Sequence, residues 1–124
     1  MVKYNSKNTL VLGASVNPLR YSFKATKKLI EKKINVFLVG KKRGEVNGIN
    51  IKHKFPVDKK IDTISIYLNP SNQSDYIESI INLSPKRVIF NPGTENSSLY
   101  NYFSSKGIMC ENSCTLVLLS TDQY

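Results

Sequence analysis

The sequence has two cysteines, one histidine and nine acidic residues against eighteen basic ones. Each shortage narrows what the chain does. Cys110 and Cys114 form a C-x-x-x-C pair with no histidine or further cysteine beside it. That is a poor metal site, and no metal is expected. Both thiols are expected to be reduced and packed, as in a cytoplasmic protein. The lone histidine, His53, stands between Lys52 and Lys54 in a polar stretch. It reads as a solvated side chain rather than a catalytic base. No apolar run approaches the roughly 20 residues of a membrane span. The polar, basic start, Met1 to Asn8, is not followed by the apolar core of a secretory signal. A cytoplasmic protein without a membrane partner is therefore expected.

What is present suits one globular domain. The 124 residues are 40% hydrophobic and 22% charged, which fits a single domain over 1–124 with its core between about Thr9 and Leu119. The formal charge is +9. Such an excess suits nucleic acid, anionic lipid or a polyanionic cofactor. Most of the lysines are spread out, so no nucleic-acid partner is expected. The compact cluster Lys41-Lys42-Arg43 is the exception.

Short apolar runs alternate with helical patterns. Thr9-Leu10-Val11-Leu12 is too short for a helix and lacks alternation, as buried parallel strands do. A turn over Gly13 to Pro18 leads into a helix to about Lys33, with Ser22, Ala25, Thr26, Leu29 and Ile30 inward. Further strands are expected at Asn35 to Val39, Thr63 to Leu68, Arg87 to Phe90 and Ile108 to Cys110. Lys41 to Lys60 reads as a long polar loop with one short extended piece at Ile49 to Ile51. A second helix, capped by Ser71 or Asn72, would bury Tyr76, Ile77, Ile80 and Ile81. A third, from about Glu95 to Lys106, would bury Leu99, Tyr102 and Phe103 and end at Gly107. Cys114 to Leu119 is a last apolar segment. The β-α-β order implies an α/β, Rossmann-like doubly wound sheet of about five parallel strands.

Ligands of such sheets bind outside the carboxyl ends of the strands. The residues there are rich in turn-formers, amides and cations, with Glu95 the only obvious carboxylate. That set suits holding a phosphorylated ligand better than breaking bonds. The first loop leads into a helix N-terminus, which favours an anion. Of the dinucleotide fingerprint G-x-G-x-x-G only Gly13 is present, with Ser15 and Pro18 at the later glycine positions. An NAD site also wants an acid after the second strand for the ribose diol. Here Gly40 is followed by three cations, which suit a ribose phosphate such as that of NADP or CoA.

These residues carry a resemblance. The loop Gly13-Ala14-Ser15-x-x-Pro18-x-Arg20-Tyr21-Ser22 resembles that of the small stand-alone CoA-binding domain family. Tyr67-Leu68-Asn69-Pro70, Phe90-Asn91-Pro92-Gly93-Thr94-Glu95-Asn96 and Glu111-Asn112-Ser113-Cys114-Thr115 extend the likeness in order. The same fold forms the N-terminal domain of the succinyl-CoA synthetase alpha subunit. The resemblance implies coenzyme A, free or acylated, lying across the strand ends. Gly13, Ala14, Ser15 and Arg20 would hold the pyrophosphate, with Pro18 in the same loop. Val39, Gly40 and Lys41 would approach the adenosine, with Lys42 or Arg43 near its phosphate. Tyr67, Asn69 and Pro70 would line the middle. Asn91, Pro92, Gly93, Glu95 and Asn96 would lie toward the pantetheine arm. The chain departs from the family where relatives usually show Asn-Pro after the second strand and it has Gly40-Lys41.

Synthetases of this kind use a phosphorylated histidine and a nucleotide-grasping domain, and this sequence offers neither. The expectation is a binding module for a small nucleotide ligand, without catalysis of its own. The sequence leaves its oligomeric state open, a homo-oligomer and a partner subunit both being compatible with it. The alternatives are an NADP-binding, reductase-like protein and a nucleotide-responsive regulator.

Overall fold

In chain order the elements are β1 (Thr9–Leu12), α1 (Tyr21–Glu31), β2 (Val36–Val39), β3 (Gly44–Val46), β4 (Ile49–Lys52), β5 (Thr63–Ile66), α2 (Ile77–Leu83), β6 (Arg87–Phe90), α3 (Ser97–Ser105), β7 (Met109–Asn112) and α4 (Thr115–Ser120). They are seen in a computed structural model that describes residues 7–124. Residues 1–6, most of the polar N-terminal stretch, lie outside the described residues.

One sheet carries seven strands in the order β3-β4-β2-β1-β5-β6-β7. All neighbours are parallel except β3 and β4. Every residue of β1, β5 and β6 is buried. Helices cover both faces of a parallel sheet, so even the polar Thr63, Ser65 and Arg87 of these strands are buried. Leu10, Leu12, Ile64, Ile66, Val88 and Phe90 pack on one side with Ile80, Leu99 and Phe103 from α2 and α3. Val11, Leu38 and Ile89 face the other way, toward Leu29 of α1 and Leu119 of α4. In α1 the small buried residues Ser22, Ala25 and Thr26 precede Leu29, so its first turns lie close to the sheet. Ile30 is only partly covered.

The five expected parallel strands are contiguous, from β2 to the edge strand β7, and the fold is of the expected Rossmann-like class. The segment expected as a long polar loop adds two more strands. β3 and β4 form a hairpin whose turn residues, Asn47 and Gly48, both have positive φ, 49° and 84°. This is the pair of left-handed residues a two-residue hairpin turn needs. β4 then adds parallel to β2. The chain returns to β5 past Phe55, whose ring stacks on Tyr76 at 5.9 Å.

Three helix expectations need correction. Neither Ser71 nor Asn72 caps α2; two 3-10 turns, Pro70–Asn72 and Ser74–Tyr76, intervene, and Tyr76 is the N-cap. α3 starts at Ser97 rather than at about Glu95, with Asn96 as its N-cap, accepting from the Leu99 N–H at 3.2 Å. Tyr102 of α3 is exposed, while Leu99 and Phe103 are buried. At the amino ends of the strands, the Arg87 guanidinium lies 4.4 Å from the Tyr124 ring and donates to Thr63 Oγ1 at 3.0 Å.

Candidate functional site

Because β4, β2, β1, β5, β6 and β7 run the same way, their carboxyl ends share one rim of the sheet. The chain moves from β1 to β2 on one side and later to β5 on the other. The switch point, where such sheets hold ligands, is therefore at the end of β1.

Around β1 and β2 the rim is held by backbone. The Val39 carbonyl accepts from Gly13 N at 2.8 Å and Ala14 N at 3.0 Å. Val39 itself is 1% exposed, so its side chain belongs to the core and only its carbonyl reaches the rim. Gly40 packs so closely under the first loop that an added Cβ would lie 2.5 Å from the Ala14 carbonyl oxygen. No other residue type fits there without moving the loop. Ser15 Oγ accepts from Asn17 N at 3.0 Å, and Asn17 Oδ1 accepts from Leu19 N at 3.0 Å. These local bonds shape the turn by the usual Ser and Asn chemistry. Pro18 and Arg20 are exposed. Arg20 is the N-cap of α1 without a side-chain cap bond, and the first turn has no acidic residue. The helix start thus keeps its positive end uncompensated.

Lys41, Lys42 and Arg43 are exposed in the link from β2 to β3. Among the described residues no ion pair engages them. The hairpin brings a second basic segment to the same rim. Gly40 N donates to Lys52 O at 3.0 Å, so Lys52, His53 and Lys54 follow the carboxyl end of β4 beside Gly40. All three are exposed. His53 is solvated, as expected, but it borders the rim rather than a remote loop.

Around β5 and β6 the rim is held by buried side chains. Asn91, 1% exposed, donates from Nδ2 to Ser65 Oγ at 2.9 Å and Ile66 O at 2.8 Å, and accepts from Thr115 N at 2.8 Å. Its amide is spent on the sheet and on the start of α4. Ser65 Oγ also lies 2.8 Å from Thr115 Oγ1. Thr94 donates from N and Oγ1 to Asn91 O at 2.9 and 2.7 Å. Tyr67 packs toward α1 and α4, with its hydroxyl buried within reach of Ser65 and Thr115, but these two are bonded to each other and Ser65 to Asn91, so no well-formed bond to the phenol results. Burial pushes this phenol well above its ordinary range.

The exposed residues of this half are Asn69, Pro70, Pro92, Gly93 and Glu95. Glu95 Oε1 accepts from Gly93 N at 2.8 Å, closing the turn after β6. With Asn96, Ser97, Tyr100, Asn101 and Asn112, Glu95 lines a polar hollow of about 350 Å³. A larger groove, about 480 Å³, runs between α1 and α4 and meets the first loop only at Pro18. Topology favours the rim as the site, because helix grooves gather no loop termini.

Sequence reasoning missed Gln73. It is 1% exposed and binds both the Leu68 and Thr94 carbonyls. Nothing in a polar turn marks one glutamine as buried. The hairpin did have a signal, since Asn47-Gly48 lies between Val46 and Ile49. Cys110 and Cys114 are both free, and burial raises the Cys110 thiol above its usual range. Among the described residues, no group of three His, Cys, Asp or Glu side chains is placed to hold a metal ion. Among the same residues, no helix is long and apolar enough to cross a membrane.

A family model described as a CoA binding domain matches residues 7–120. The chain belongs to this CoA-binding domain family. The match spans the whole rim, from the loop after β1 to α4. The domain is also similar to the crystal structure of an uncharacterised protein, 43% identical with a TM-score of 0.92, covering 95% of this chain and 98% of that one. A hypothetical protein from Pyrococcus horikoshii OT3 is 25% identical with a TM-score of 0.85, covering 93% of this chain and 82% of that one. A Thermus thermophilus protein, 21% identical with a TM-score of 0.86 and covering 98% of this chain and 94% of that one, shares the fold. No curated protein matches the chain.

Proposed function

We propose that this domain binds coenzyme A, free or acylated, across the carboxyl ends of β2, β1, β5 and β6, and performs no chemistry alone. The observation that carries this reading is the first loop. It is pinned to Val39 O, it leads into the uncapped start of α1, and it is flanked by exposed cations that no ion pair engages among the described residues. A pyrophosphate fits the N–H groups and positive dipole of that helix start, while the Gly13 and Ala14 N–H groups, bonded to Val39 O, shape the loop beneath it. Gly13, Ala14, Ser15 and Arg20 would surround it. Gly40, Lys41, Lys42 and Arg43 would meet the adenosine and its ribose phosphate. Neighbouring strands lie about 4.8 Å apart, so the phosphates at β1 put the pantetheine arm over Asn69, Pro70, Pro92, Gly93 and Glu95. Asn91, Tyr67 and Val39 support these loops from beneath.

The rim supports holding rather than reacting. Its one carboxylate, Glu95, is committed to Gly93 N, and His53 stands exposed among lysines. A nucleotide-cleaving mechanism would need a phosphoryl carrier and a metal–nucleotide site. Isothermal calorimetry of the purified chain against CoA, NAD and NADP tests the reading. CoA is expected to bind most tightly. It should stabilise the fold by about 2.7 kcal/mol at one hundred times its dissociation constant. NAD or NADP binding about tenfold tighter than CoA would overturn it.

A further inference from the structure

We propose that Gln73 is a positioning residue for the pantetheine end of the site, holding the loops after β5 and β6 as one unit; this rests on the CoA reading above. Gln73 is 1% exposed, although its neighbours Asn72 and Ser74 are exposed. Burying an amide is unfavourable unless its polar atoms find partners. Its Nε2 donates to Leu68 O at 2.9 Å and Thr94 O at 2.8 Å, and its Oε1 accepts from Asn96 Nδ2 at 3.1 Å. Both amide hydrogens and an oxygen lone pair are therefore used.

What the amide joins is specific. Leu68 is at the exit of β5; Thr94 and Asn96 belong to the turn after β6. Thr94 is in turn anchored through Asn91 to Ser65 and Ile66 of the sheet. One side chain therefore fixes the exposed Asn69-Pro70 against the exposed Pro92-Gly93. The first loop and the basic link have their own supports, the Val39 carbonyl and the Gly40 contact, and share no hydrogen bond with Gln73, although Gly13 packs on Tyr67 and Leu68. The nucleotide and the arm of the ligand are thus carried by scaffolds that meet only in packing. Loss of the Gln73 bonds should fall mainly on the arm.

The test is calorimetry of the full chain with two probes, CoA and adenosine 3′,5′-bisphosphate, which lacks the pantetheine arm. Gln73→Met keeps the length of the side chain and removes both donors. CoA affinity is expected to fall about tenfold or more while bisphosphate affinity stays within about twofold. Equal losses for both probes, or no loss for CoA, would overturn the role of Gln73. A wild-type chain that binds CoA but not the bisphosphate would overturn the division into two scaffolds. A wild-type chain that binds neither would instead refute the CoA reading itself. Should Gln73→Met fail to fold by circular dichroism, Gln73→Asn gives the same reading. It keeps an amide in the same place but is one methylene too short to span the Leu68 and Thr94 carbonyls, so the same selective loss of CoA is expected, and equal losses would again overturn the role.

Discussion

Around β1 and β2 the rim is made of backbone packed on backbone, with its charged side chains loose in solvent. Around β5 and β6 it is made of buried amides and hydroxyls that hold the loops from below. In the first half Val39 O binds two loop N–H groups and Gly40 lets the loop settle. In the second half Asn91 and Gln73 make six hydrogen bonds between them. On the proposed CoA reading, the difference follows the part of the ligand that each half would meet. A pyrophosphate is met by N–H groups and dipoles, so side chains need to keep clear. A neutral, flexible arm offers little charge to grip, so the walls it lies between need to be rigid already. Preorganised walls lower the ordering cost of binding.

The largest expected effect comes from disturbing the backbone-built half. Gly40→Ala adds a Cβ that would lie 2.5 Å from the Ala14 carbonyl oxygen, a backbone atom that gives way only if the loop moves. Overpacking of this kind costs about 1–3 kcal/mol. The fold should survive, because the clash lies on the rim rather than in the core. A shifted phosphate loop should lower CoA affinity by about 100-fold. Calorimetry beside thermal unfolding checks both. CoA affinity unchanged in a folded variant would mean that the close approach serves packing alone, and the contrast between the halves would lose its functional meaning.

These two halves differed in legibility for the same reason. The first half was readable in the sequence because its signals are local. Gly13 ends an apolar run, Ser15 and Asn17 are turn-formers, and three cations stand together after Gly40. The central strands were readable because burial on both faces leaves short, largely apolar runs. The second half depends on pairings across 20 to 30 residues, such as Gln73 with Thr94, and Asn91 with Ser65. Such pairings carry no periodicity. Asn91 was legible as a member of a loop motif, but its inward orientation was not. The hairpin of β3 and β4 is a different case. Its Asn-Gly turn was a local signal, masked by the charged residues around it. The family likeness supplied the ligand class, which no local pattern could.

A smaller effect is expected from the exposed cations. Reversing Lys41, Lys42 and Arg43 to Glu leaves backbone packing untouched and changes the charge at the adenosine end. A charge-assisted hydrogen bond is worth about 1.5–3 kcal/mol. These side chains are exposed, so solvent and salt discount that value toward its lower end. Lys52 and Lys54 beside them also keep part of the positive field. The triple variant should bind CoA about tenfold more weakly at low salt, with a smaller loss for dephospho-CoA, which lacks the ribose phosphate. The gap should narrow near 1 M salt, where the screening length is about 3 Å. Equal losses for both ligands would make the cluster a general attractor and not a reader of the ribose phosphate.

The smallest effect concerns the floor of the second half and appears only in alkali. Tyr67 has its hydroxyl buried within reach of Ser65 and Thr115 but without a well-formed hydrogen bond, and burial, only partly offset by those two hydroxyls, raises its pKa above the ordinary 10.0. The sign follows from linkage. Below pH 10 the phenol is protonated in both folded and unfolded chains, and it adds no pH dependence. Above pH 10 the unfolded chain releases the proton first, so the folded state loses stability as pH rises. The limiting slope for one group is about 1.4 kcal/mol per pH unit. Tyr67→Phe removes that term together with an unbonded buried hydroxyl, whose burial costs about 1 kcal/mol or more. Against an enlarged hollow of one oxygen, the variant should be as stable as the wild type at pH 7, or up to about 1 kcal/mol more stable. It should also lose less stability between pH 10 and 11. Tyr124 is raised by burial too, but its hydroxyl is bonded to Thr9, so Tyr124→Phe should flatten the alkaline loss while costing about 1 kcal/mol at pH 7. Urea unfolding of the three proteins across this range separates the cases. A Tyr67→Phe variant destabilised at pH 7 as much as Tyr124→Phe would show that the hydroxyl is bonded in solution, and that the amide network of the second half extends one residue further than its hydrogen bonds indicate.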